Sequence, residues 1–339
     1  VSLYDVAWSP DGTRLASAGS NTQVTIWEVT STTLSTLLRG HRSLVFAVAW
    51  SPDGRFLASC GLDNTLRLWN TNTGEARYVL QDPDHADTLF FGLAWSPDGT
   101  QLASASYQQG VQVWEMTTVT LQWVGRMQQT RIRRVTWSPD GTQLATCGDD
   151  GSVCLWRASD GTMLQQFQEH RGIVMCIAWS PDGKLLASGG GSKGNGEFVI
   201  WDAQSGERLQ TWSELKAVVN ALVWNATGTM LVSGDSDGYL RWWDVQRAEC
   251  LLLRQEHQGA VQSLKVSPDS QRLASCGDDN TIRIWNLESG EHLQTLRPDR
   301  PYERLDITGI KGVTEAQLTT LRALGAVEDA AVNNTYHTL

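Results

Sequence analysis

Side chains of the types that build a hydrolytic triad occur twice in this sequence at the same spacing. They are His41, Ser59 and Asp63, and again His257, Ser275 and Asp279. In a catalytic triad the histidine takes the serine proton while the carboxylate orients the ring, and the set occurs once, beside an oxyanion hole. Because this set recurs, we interpret both copies as structural ties between a turn and a strand and predict no catalytic residues.

A glycine-rich stretch at residues 189–196 is the second motif of a chemically useful type. It reads Gly-Gly-Gly-Ser-Lys-Gly-Asn-Gly and lacks the Gly-Lys-Ser/Thr ending that places a lysine and a hydroxyl group on nucleotide phosphates. We therefore interpret it as a flexible turn insertion. The sequence shows no other reactive constellation, so we expect no cofactor and no metal site.

Composition narrows the classes of partner. The formal net charge is −10, and an acidic surface repels phosphate backbones, so we expect no nucleic acid partner. No run of 18 or more residues is apolar throughout, which predicts that nothing spans a membrane and that the protein has no membrane partner.

The cysteines indicate buried structural positions. Cys60, Cys147 and Cys276 each lie nine residues before a tryptophan, where other repeats have alanine or glycine. A position shared by these three residue types favours a small buried side chain over a ligand or a disulfide partner. Nothing in the sequence demands an oxidising compartment, so we expect a cytoplasmic protein.

The elements that position all these side chains come from a sevenfold internal repeat. A Ser-Pro-Asp-Gly turn, or a degenerate copy of it, recurs in steps of 42 or 45 residues. The copies start at Ser9, Ser51, Ser96, Ser138, Ser180, Asn225 and Ser267. A tryptophan follows each copy, usually 18 residues later, at Trp27, Trp69, Trp114, Trp156, Trp201, Trp243 and Trp285. A period of this length predicts a toroidal array whose units cannot bury their apolar faces alone.

Each unit reads as four short strands. In the second unit the alternating segments are Val45 to Trp50, Phe56 to Cys60, Leu66 to Asn70 and Ala76 to Leu80. The intervening turns supply Asp, Asn or Gly where the backbone must reverse. The pattern predicts one four-stranded antiparallel sheet per unit.

The units resemble WD repeats, which close into β-propellers with four-stranded blades. The literal Trp-Asp pair occurs at Trp201-Asp202 and Trp243-Asp244. The resemblance covers residues 1–296 and implies an all-β fold, a seven-bladed β-propeller of four-stranded antiparallel blades. Residues 297–339 are then a C-terminal tail with a short strand and a short helix.

The resemblance also implies a hydrogen-bonded tetrad of His, Ser or Thr, Asp and Trp. Two blades carry it in full, as His41, Ser59, Asp63 and Trp69, and as His257, Ser275, Asp279 and Trp285. Other blades carry it in part: Thr146, Asp150 and Trp156 with Gln128 near the histidine position; His170 and Ser188 with no aspartate; and Ser233, Asp237 and Trp243 with no histidine. We expect the two intact blades to be the stiffest, because a satisfied buried polar network rigidifies its surroundings.

One position varies among the repeats and is the best candidate for a binding surface. Five residues before the turn serine the series reads Tyr4, Phe46, Phe91, Arg133, Met175, Asn220 and Gln262, while its preceding neighbour stays apolar throughout. Strand alternation sends the two positions to opposite faces, so we expect the varied series at the channel mouth. The lengthened loops at residues 81–88 and 190–198 emerge on the same face, where binding function is usually carried.

Aromatic and arginine side chains are enriched anchors of protein interfaces, and this face is predicted to present both. With the varied series we place Arg42, Leu62, Tyr107 and Arg131 in the predicted partner-binding surface. We predict a non-catalytic scaffold or sensor module that binds a protein or peptide with apolar anchors and an acidic group. The alternatives are that these side chains only plug the channel, that the face binds a small molecule or a glycan, or that the protein is an enzyme.

The ends of the chain carry two further expectations. Blade one starts at its inner strand and blade seven completes itself at residues 292–296, so the ends share no blade and the seam between them is expected to be the weak point. In the tail, residues 304–310 predict a strand, and Thr314 to Gln317 is a capping box opening a helix that ends before Gly325. The tail is similar to the ends of large bacterial signalling proteins with WD-repeat arrays, which implies further domains before Val1.

Overall fold

Seven antiparallel four-stranded sheets follow one another along the chain and form the blades of a β-propeller, as predicted. The structure, a computed structural model, describes residues 1–30, 34–107, 109–126, 131–168, 170–192, 194–298, 307–308, 310, 312–324 and 326. In every blade the strands are adjacent in sequence order. The strand predictions for the second unit are confirmed to within one residue.

The first four blades contain sixteen strands. Blade one has β1 (Leu3–Trp8), β2 (Arg14–Gly19), β3 (Gln23–Glu28) and β4 (Leu34–Arg39). Blade two has β5 (Val45–Trp50), β6 (Phe56–Gly61), β7 (Leu66–Asn70) and β8 (Ala76–Leu80). Blade three has β9 (Phe90–Trp95), β10 (Gln101–Ser106), β11 (Val111–Glu115) and β12 (Thr120–Gly125). Blade four has β13 (Ile132–Trp137), β14 (Gln143–Gly148), β15 (Val153–Arg157) and β16 (Met163–Phe167).

The remaining three blades contain twelve strands. Blade five has β17 (Ile173–Trp179), β18 (Leu185–Ser192), β19 (Asn195–Asp202) and β20 (Arg208–Leu215). Blade six has β21 (Val219–Trp224), β22 (Met230–Asp235), β23 (Tyr239–Asp244) and β24 (Glu249–Gln255). Blade seven has β25 (Val261–Val266), β26 (Arg272–Gly277), β27 (Ile282–Asn286) and β28 (His292–Leu296).

The repeated Ser-Pro-Asp-Gly turn links the first two strands of each blade and is closed by its own side chains. In blade two, Ser51 Oγ donates to Asp53 Oδ1 at 2.6 Å and accepts from the Phe56 amide at 2.9 Å. Gly54 follows with φ of +71°, a left-handed conformation that glycine adopts without steric cost. The spacing of the motif therefore sets where every inner strand ends.

The core of the described residues consists of seven apolar clusters, each of which joins two neighbouring blades. The tryptophan before the turn serine reinforces five of these junctions, because its indole N–H donates to a carbonyl of the preceding blade at 3.0–3.2 Å. The pairs are Trp8 to Lys265, Trp50 to Ala7, Trp95 to Ala49, Trp137 to Ala94 and Trp224 to Ala178. In blade five the Trp179 Nε1 is buried and has no hydrogen-bond partner among the residues that the structure describes.

Every inner strand carries a β-bulge at the varied position of the repeat. In blade two, Val45 pairs with Gly61 and Ala47 pairs with Cys60, so Phe46 is left out of the ladder. Simple strand alternation was therefore an incomplete reason for the orientation of these residues. The extra bulge residue re-aims its own side chain.

The seam between blades one and seven is closed by side chains, with no shared blade. One apolar cluster contains Leu3 and Trp8 of blade one together with residues of blade seven. Arg272 Nη2 donates to the Gly12 carbonyl at 3.0 Å across the same junction. The buried Asp5 carboxylate accepts from Ser263 Oγ at 2.7 Å and from the Val48 amide at 3.1 Å, so it ties blade one to both of its neighbours.

The glycine-rich insertion is not a flexible turn, and that expectation was wrong. Residues 190–192 extend β18 and residues 195–197 extend β19, so the insertion lengthens a paired hairpin. Lys193 lies outside the described residues. The interpretation failed because glycine permits strand conformations as well as turns.

Chain contacts divide the protein into two units, Val1–Leu296 and Arg297–Leu339. The second unit contains helix α1 (Glu315–Ala323), whose capping box has the predicted residues: Gln317 N donates to Thr314 Oγ1 at 3.3 Å and Thr314 N donates to Gln317 Oε1 at 2.7 Å. The predicted strand at residues 304–310 falls mainly on residues outside the described ones. Within the described ranges, no helix has the length and apolar character to cross a membrane.

Candidate binding site at the channel mouth

The interior of blade two contains a closed polar network. His41 Nδ1 donates to Asp63 Oδ2 at 2.9 Å, His41 Nε2 lies 2.7 Å from Ser59 Oγ, and Trp69 Nε1 donates to Ser59 Oγ at 2.8 Å. Ser59 is fully buried, and its hydroxyl group is engaged by both rings. The arrangement holds a turn against a strand and leaves no serine oxygen free for nucleophilic attack.

Blade seven repeats this network with the same geometry. His257 Nδ1 lies 3.1 Å from Asp279, His257 Nε2 lies 2.7 Å from Ser275 Oγ, and Trp285 Nε1 donates to Ser275 Oγ at 2.9 Å. Burial is the largest single influence and favours the neutral form of Asp279, but the hydrogen bond and electrostatic attraction of His257, with hydrogen bonds from Thr281 and the Gln258 amide, together outweigh it and hold the pKa well below the usual range. The Asp63 pKa is lowered in the same way by His41, against the effect of burial.

Blade five completes the same network with a residue that the sequence did not reveal. His170 Nδ1 lies 3.1 Å from Glu197 Oε1, His170 Nε2 lies 2.7 Å from Ser188 Oγ, and Trp201 Nε1 donates to Ser188 Oγ at 2.7 Å. The His170 hydrogen bond lowers the Glu197 pKa. The longer hairpin brings this carboxylate across from β19, and the longer glutamate side chain reaches the ring.

Blades four and six keep part of the predicted partial tetrads: Trp156 Nε1 donates to Thr146 Oγ1 and Trp243 Nε1 donates to Ser233 Oγ, each at 2.9 Å. Among the described residues, the side chains of the predicted aspartates make other contacts or none. In blade six Asp237 is exposed, and the buried carboxylate is Asp235, which forms an ion pair with Arg241. In blade four Asp150 Oδ1 accepts from the Ser152 amide and hydroxyl groups. Gln128 lies outside the described residues.

The channel mouth presents an aromatic surface along blades one to three. Tyr4 and Phe46 stack with ring centroids 4.9 Å apart, and Phe46 lies 5.0 Å from Phe91. The Arg131 guanidinium lies over Phe91 at 4.8 Å and 5.8 Å from the Tyr107 ring, which is 37% exposed. The side chains therefore pack on one another, and all of them but Phe91, which is 8% exposed, retain appreciable exposure.

The other half of the mouth is polar and largely paired. Arg133 Nε donates to Asp149, and Arg131 Nε lies 3.7 Å from the same carboxylate. Gln262 Nε2 donates to Asp278 Oδ1 at 3.1 Å. Asn220 is buried and donates to the Val261 carbonyl at 3.2 Å, and Met175 is partly exposed.

The remaining predicted residues lie on loops that the tetrads anchor. The Arg42 amide donates to Asp63 Oδ2 at 2.9 Å, and the Leu62 amide donates to the Leu44 carbonyl at 2.9 Å. The Arg42 side chain is exposed and Leu62 is partly exposed. A rigid blade interior thus fixes the loop backbone while the side chains face outward.

The lengthened loop before blade three is also fixed from within. The buried Asp82 carboxylate accepts from the amides of Asp84 and His85 and from Gln112 Nε2. Together with Asp149 and Asp278, this residue was missed by the sequence analysis. Asp82 lies in the lengthened loop, outside the repeated motifs. Asp149 and Asp278 occupy the same repeat position as Leu62 and Tyr107, but their pairing with Arg133 and Gln262 depends on side-chain geometry that the repeat does not show.

The described residues offer neither a metal site nor a reactive thiol in the blade interiors. Among the described residues, no group of three or more His, Cys, Asp or Glu side chains could hold a metal ion. Cys60, Cys147 and Cys276 are buried, as predicted for their position, and no cysteine forms a disulfide. Burial raises the pKa of the Cys147 thiol to about 12.

Two family models match the chain. The model described as IFT122 first beta-propeller matches residues 2–157. The model described as WDR19 first beta-propeller matches residues 133–304, just over half of the chain. No curated protein matches the chain.

Proposed function

The chain belongs to the family described as WDR19 first beta-propeller, and from this premise we propose that it is a non-catalytic scaffold that binds a peptide or a loop of a partner protein. Propeller domains of the matched types are generally protein-interaction scaffolds. The proposed binding surface is the channel mouth, formed by the seven bulge residues with Arg42, Leu62, Tyr107 and Arg131. We further propose that the propeller works within a larger signalling protein, on the basis of the tail resemblance.

The bulges carry this proposal. Seven repeats of one scaffold place a bulge at the same position, and the residue type at that position varies from aromatic to charged to amide. Bulges occur where a strand must re-aim a side chain, often at functional positions. Seven equivalent backbone positions thus present different side chains around one ring. Such a surface is suited to recognition of an asymmetric ligand.

The chemistry of the surface favours a partner with apolar anchors. The Tyr4, Phe46 and Phe91 rings form a continuous apolar platform, and stacked aromatics supply large buried area at low entropic cost. Beside it, Arg131 and Arg133 share one carboxylate, Asp149. One positive charge thus stays uncompensated, which favours an acidic group in the partner next to its apolar anchors.

The proposal is tested with a photo-crosslinking amino acid placed at position 46 of the mouth and, as a control, at Arg55 on a Ser-Pro-Asp-Gly turn. These turns connect the opposite ends of the inner strands, and the Arg55 side chain is 79% exposed. We expect a protein from the source cells to be captured from position 46 and not from position 55.

The captured protein is then purified and its affinity measured for three folded variants. Phe46→Ala removes a central aromatic anchor, so we expect a loss of about 30-fold or more, with a smaller loss for Arg133→Ala and none for Arg55→Ala. Equal affinity for all three variants would place the binding surface elsewhere. A bound glycan or metabolite in place of a protein would instead support the sensor alternative.

A further inference from the structure

Below the mouth, the inner strands enclose a cavity of about 130 Å³ on the channel axis. The residue after each bulge lines it, and in most blades that residue is small, such as Ala47, Gly92 or Ser263. Blade four instead places Arg134 there. Lys265 of blade seven, two residues beyond Ser263, lines the same cavity.

Arg134 enters the cavity with most of its hydrogen-bonding capacity unused. A guanidinium group has five N–H donors, and the structure gives one hydrogen bond, from Nη1 to the Phe91 carbonyl at 3.3 Å. Among the described residues, no carboxylate lies within ion-pair distance of Arg134. The rim arginines Arg131 and Arg133 differ, because both approach Asp149.

Arg134 lies near the channel axis, because the cavity that it lines is bordered by residues of all seven inner strands. Burial raises the pKa of four thiols, Cys60, Cys147, Cys176 and Cys276, which belong to blades two, four, five and seven. The Arg134 charge opposes that rise at all four. A charge felt on several sides of the ring is central to it.

The charges on the cavity wall do not balance. The Lys265 residue is exposed and lines the cavity, and its ammonium group has no hydrogen-bonding or ionic partner among the described residues. The one carboxylate on the wall, Asp5, already accepts from Ser263 Oγ and the Val48 amide. The protein as a whole carries a net charge of −10, yet the described residues of this cavity wall supply two cations and one anion.

We propose that the channel is an oxyanion-binding site in which Arg134 and Lys265 hold a carboxylate or phosphate group. Arg134 offers a planar fork for two oxygens, and Lys265 adds a second positive charge on the wall of the same cavity. A cavity of this volume has room for about four water molecules, enough for one small oxyanion. The anion is either free in solution or an acidic side chain reaching down from the mouth, and the site needs no bound partner to be tested.

Calorimetric titration of the purified chain at constant ionic strength tests the site with two probes. Inorganic phosphate represents the free anion, and N-acetylglutamate methylamide represents an acidic side chain. Binding of either probe supports the proposal, and the tighter of the two identifies the source. Absence of binding by both probes overturns it and leaves the proposed protein scaffold unaffected, because the aromatic platform is tested separately.

Variants locate the bound anion. Lys265→Met keeps the apolar stem and removes the charge, and Arg134→Gln removes the fork; each is expected to weaken probe binding by about tenfold or more, since each deletes a charge-assisted contact. Arg55→Met, on an exposed turn, is the matched control and should bind as the wild type does. If Arg134→Gln fails to fold, Lys265→Met alone decides. Unchanged affinity in Lys265→Met, or an equal loss in Arg55→Met, overturns the assignment.

Discussion

Polar side chains occur both in the interiors of blades two, five and seven and at the channel mouth. The two regions differ in how fully the hydrogen-bonding groups of these side chains are paired. In the interiors every histidine meets a carboxylate on one side and a serine on the other, and the serine also receives a tryptophan N–H. At the mouth, two arginines share one carboxylate and the aromatic rings keep an open face.

This contrast teaches how one repeat serves two purposes. A closed network gains from low dielectric surroundings and becomes costly to break, so it fixes backbone geometry. An open one retains donors, acceptors and apolar area that a ligand can use. The two regions adjoin in the chain. The Arg42 amide donates a hydrogen bond to the tetrad residue Asp63, while the Arg42 side chain faces solvent.

Acidification should have the largest effect, because it acts on all three closed networks together. The pKa values of Asp63, Asp279 and Glu197 are lowered in the folded protein by their histidine partners, so the unfolded chain binds protons more readily. Their stabilisation is present above the ordinary carboxyl pKa of about 4 and is lost as pH falls below it. Thermal unfolding at successive pH values should show this fall.

The matched variant for that measurement is Asp63→Asn with Asp279→Asn. It should be less stable than wild type at neutral pH and should lose less stability between about pH 5 and pH 2, since two titrating carboxylates are gone. Parallel pH profiles for the two proteins would show that the tetrads do not govern acid lability.

The next largest effect compares the loss of stability when one aspartate is removed from each region. Asp63→Ala leaves His41 and a loop amide without their acceptor in a buried site, so we expect a loss of about 3 kcal/mol in unfolding free energy. Asp149→Ala at the half-exposed mouth should cost under about 1 kcal/mol. Urea unfolding followed by tryptophan fluorescence measures both, and similar losses would remove the distinction between a closed frame and an open mouth.

The smallest expected effect concerns the blade junctions. Trp137→Phe deletes the indole donor to the Ala94 carbonyl and should cost about 1 kcal/mol, whereas Trp179→Phe removes a buried N–H that has no partner and should leave stability unchanged or raised. Differential scanning calorimetry of the two variants compares them directly. A larger loss for Trp179→Phe would mean that its N–H is satisfied in solution.

The sequence predicted the architecture because its determinants are local and repeated. The turn motif, the tryptophan position and the His, Ser and Asp spacing recur in register, so seven copies correct one another. Cys60, Cys147 and Cys276 were recognised as buried for the same reason.

What escaped prediction depends on distance across the fold or on a change of register. Glu197 lies beyond the inserted residues, so the fixed offset that finds Asp63 and Asp279 cannot find it. The bulges are a property of backbone pairing, and alternation alone placed Phe46 by an incomplete argument. Arg134 was visible as the large residue in a column of mostly small ones, but only the structure shows that no described carboxylate lies within ion-pair distance of it.

The junction between blades one and seven also has a consequence for synthesis, because the ring can close only after blade seven has left the ribosome. Asp5 reaches Val48 of the next blade 43 residues on, but it meets Ser263 only 258 residues later. The entropic cost of closing a loop grows only slowly with its length. The contact between Asp5 and Ser263 is therefore delayed mainly by the time needed to synthesise the intervening chain. Until the seventh blade emerges, the Asp5 carboxylate of the first lacks its Ser263 donor, and the apolar face of the first blade that will meet the seventh stays uncovered. Nascent chains are therefore most exposed to aggregation at the two surfaces that the finished protein joins last.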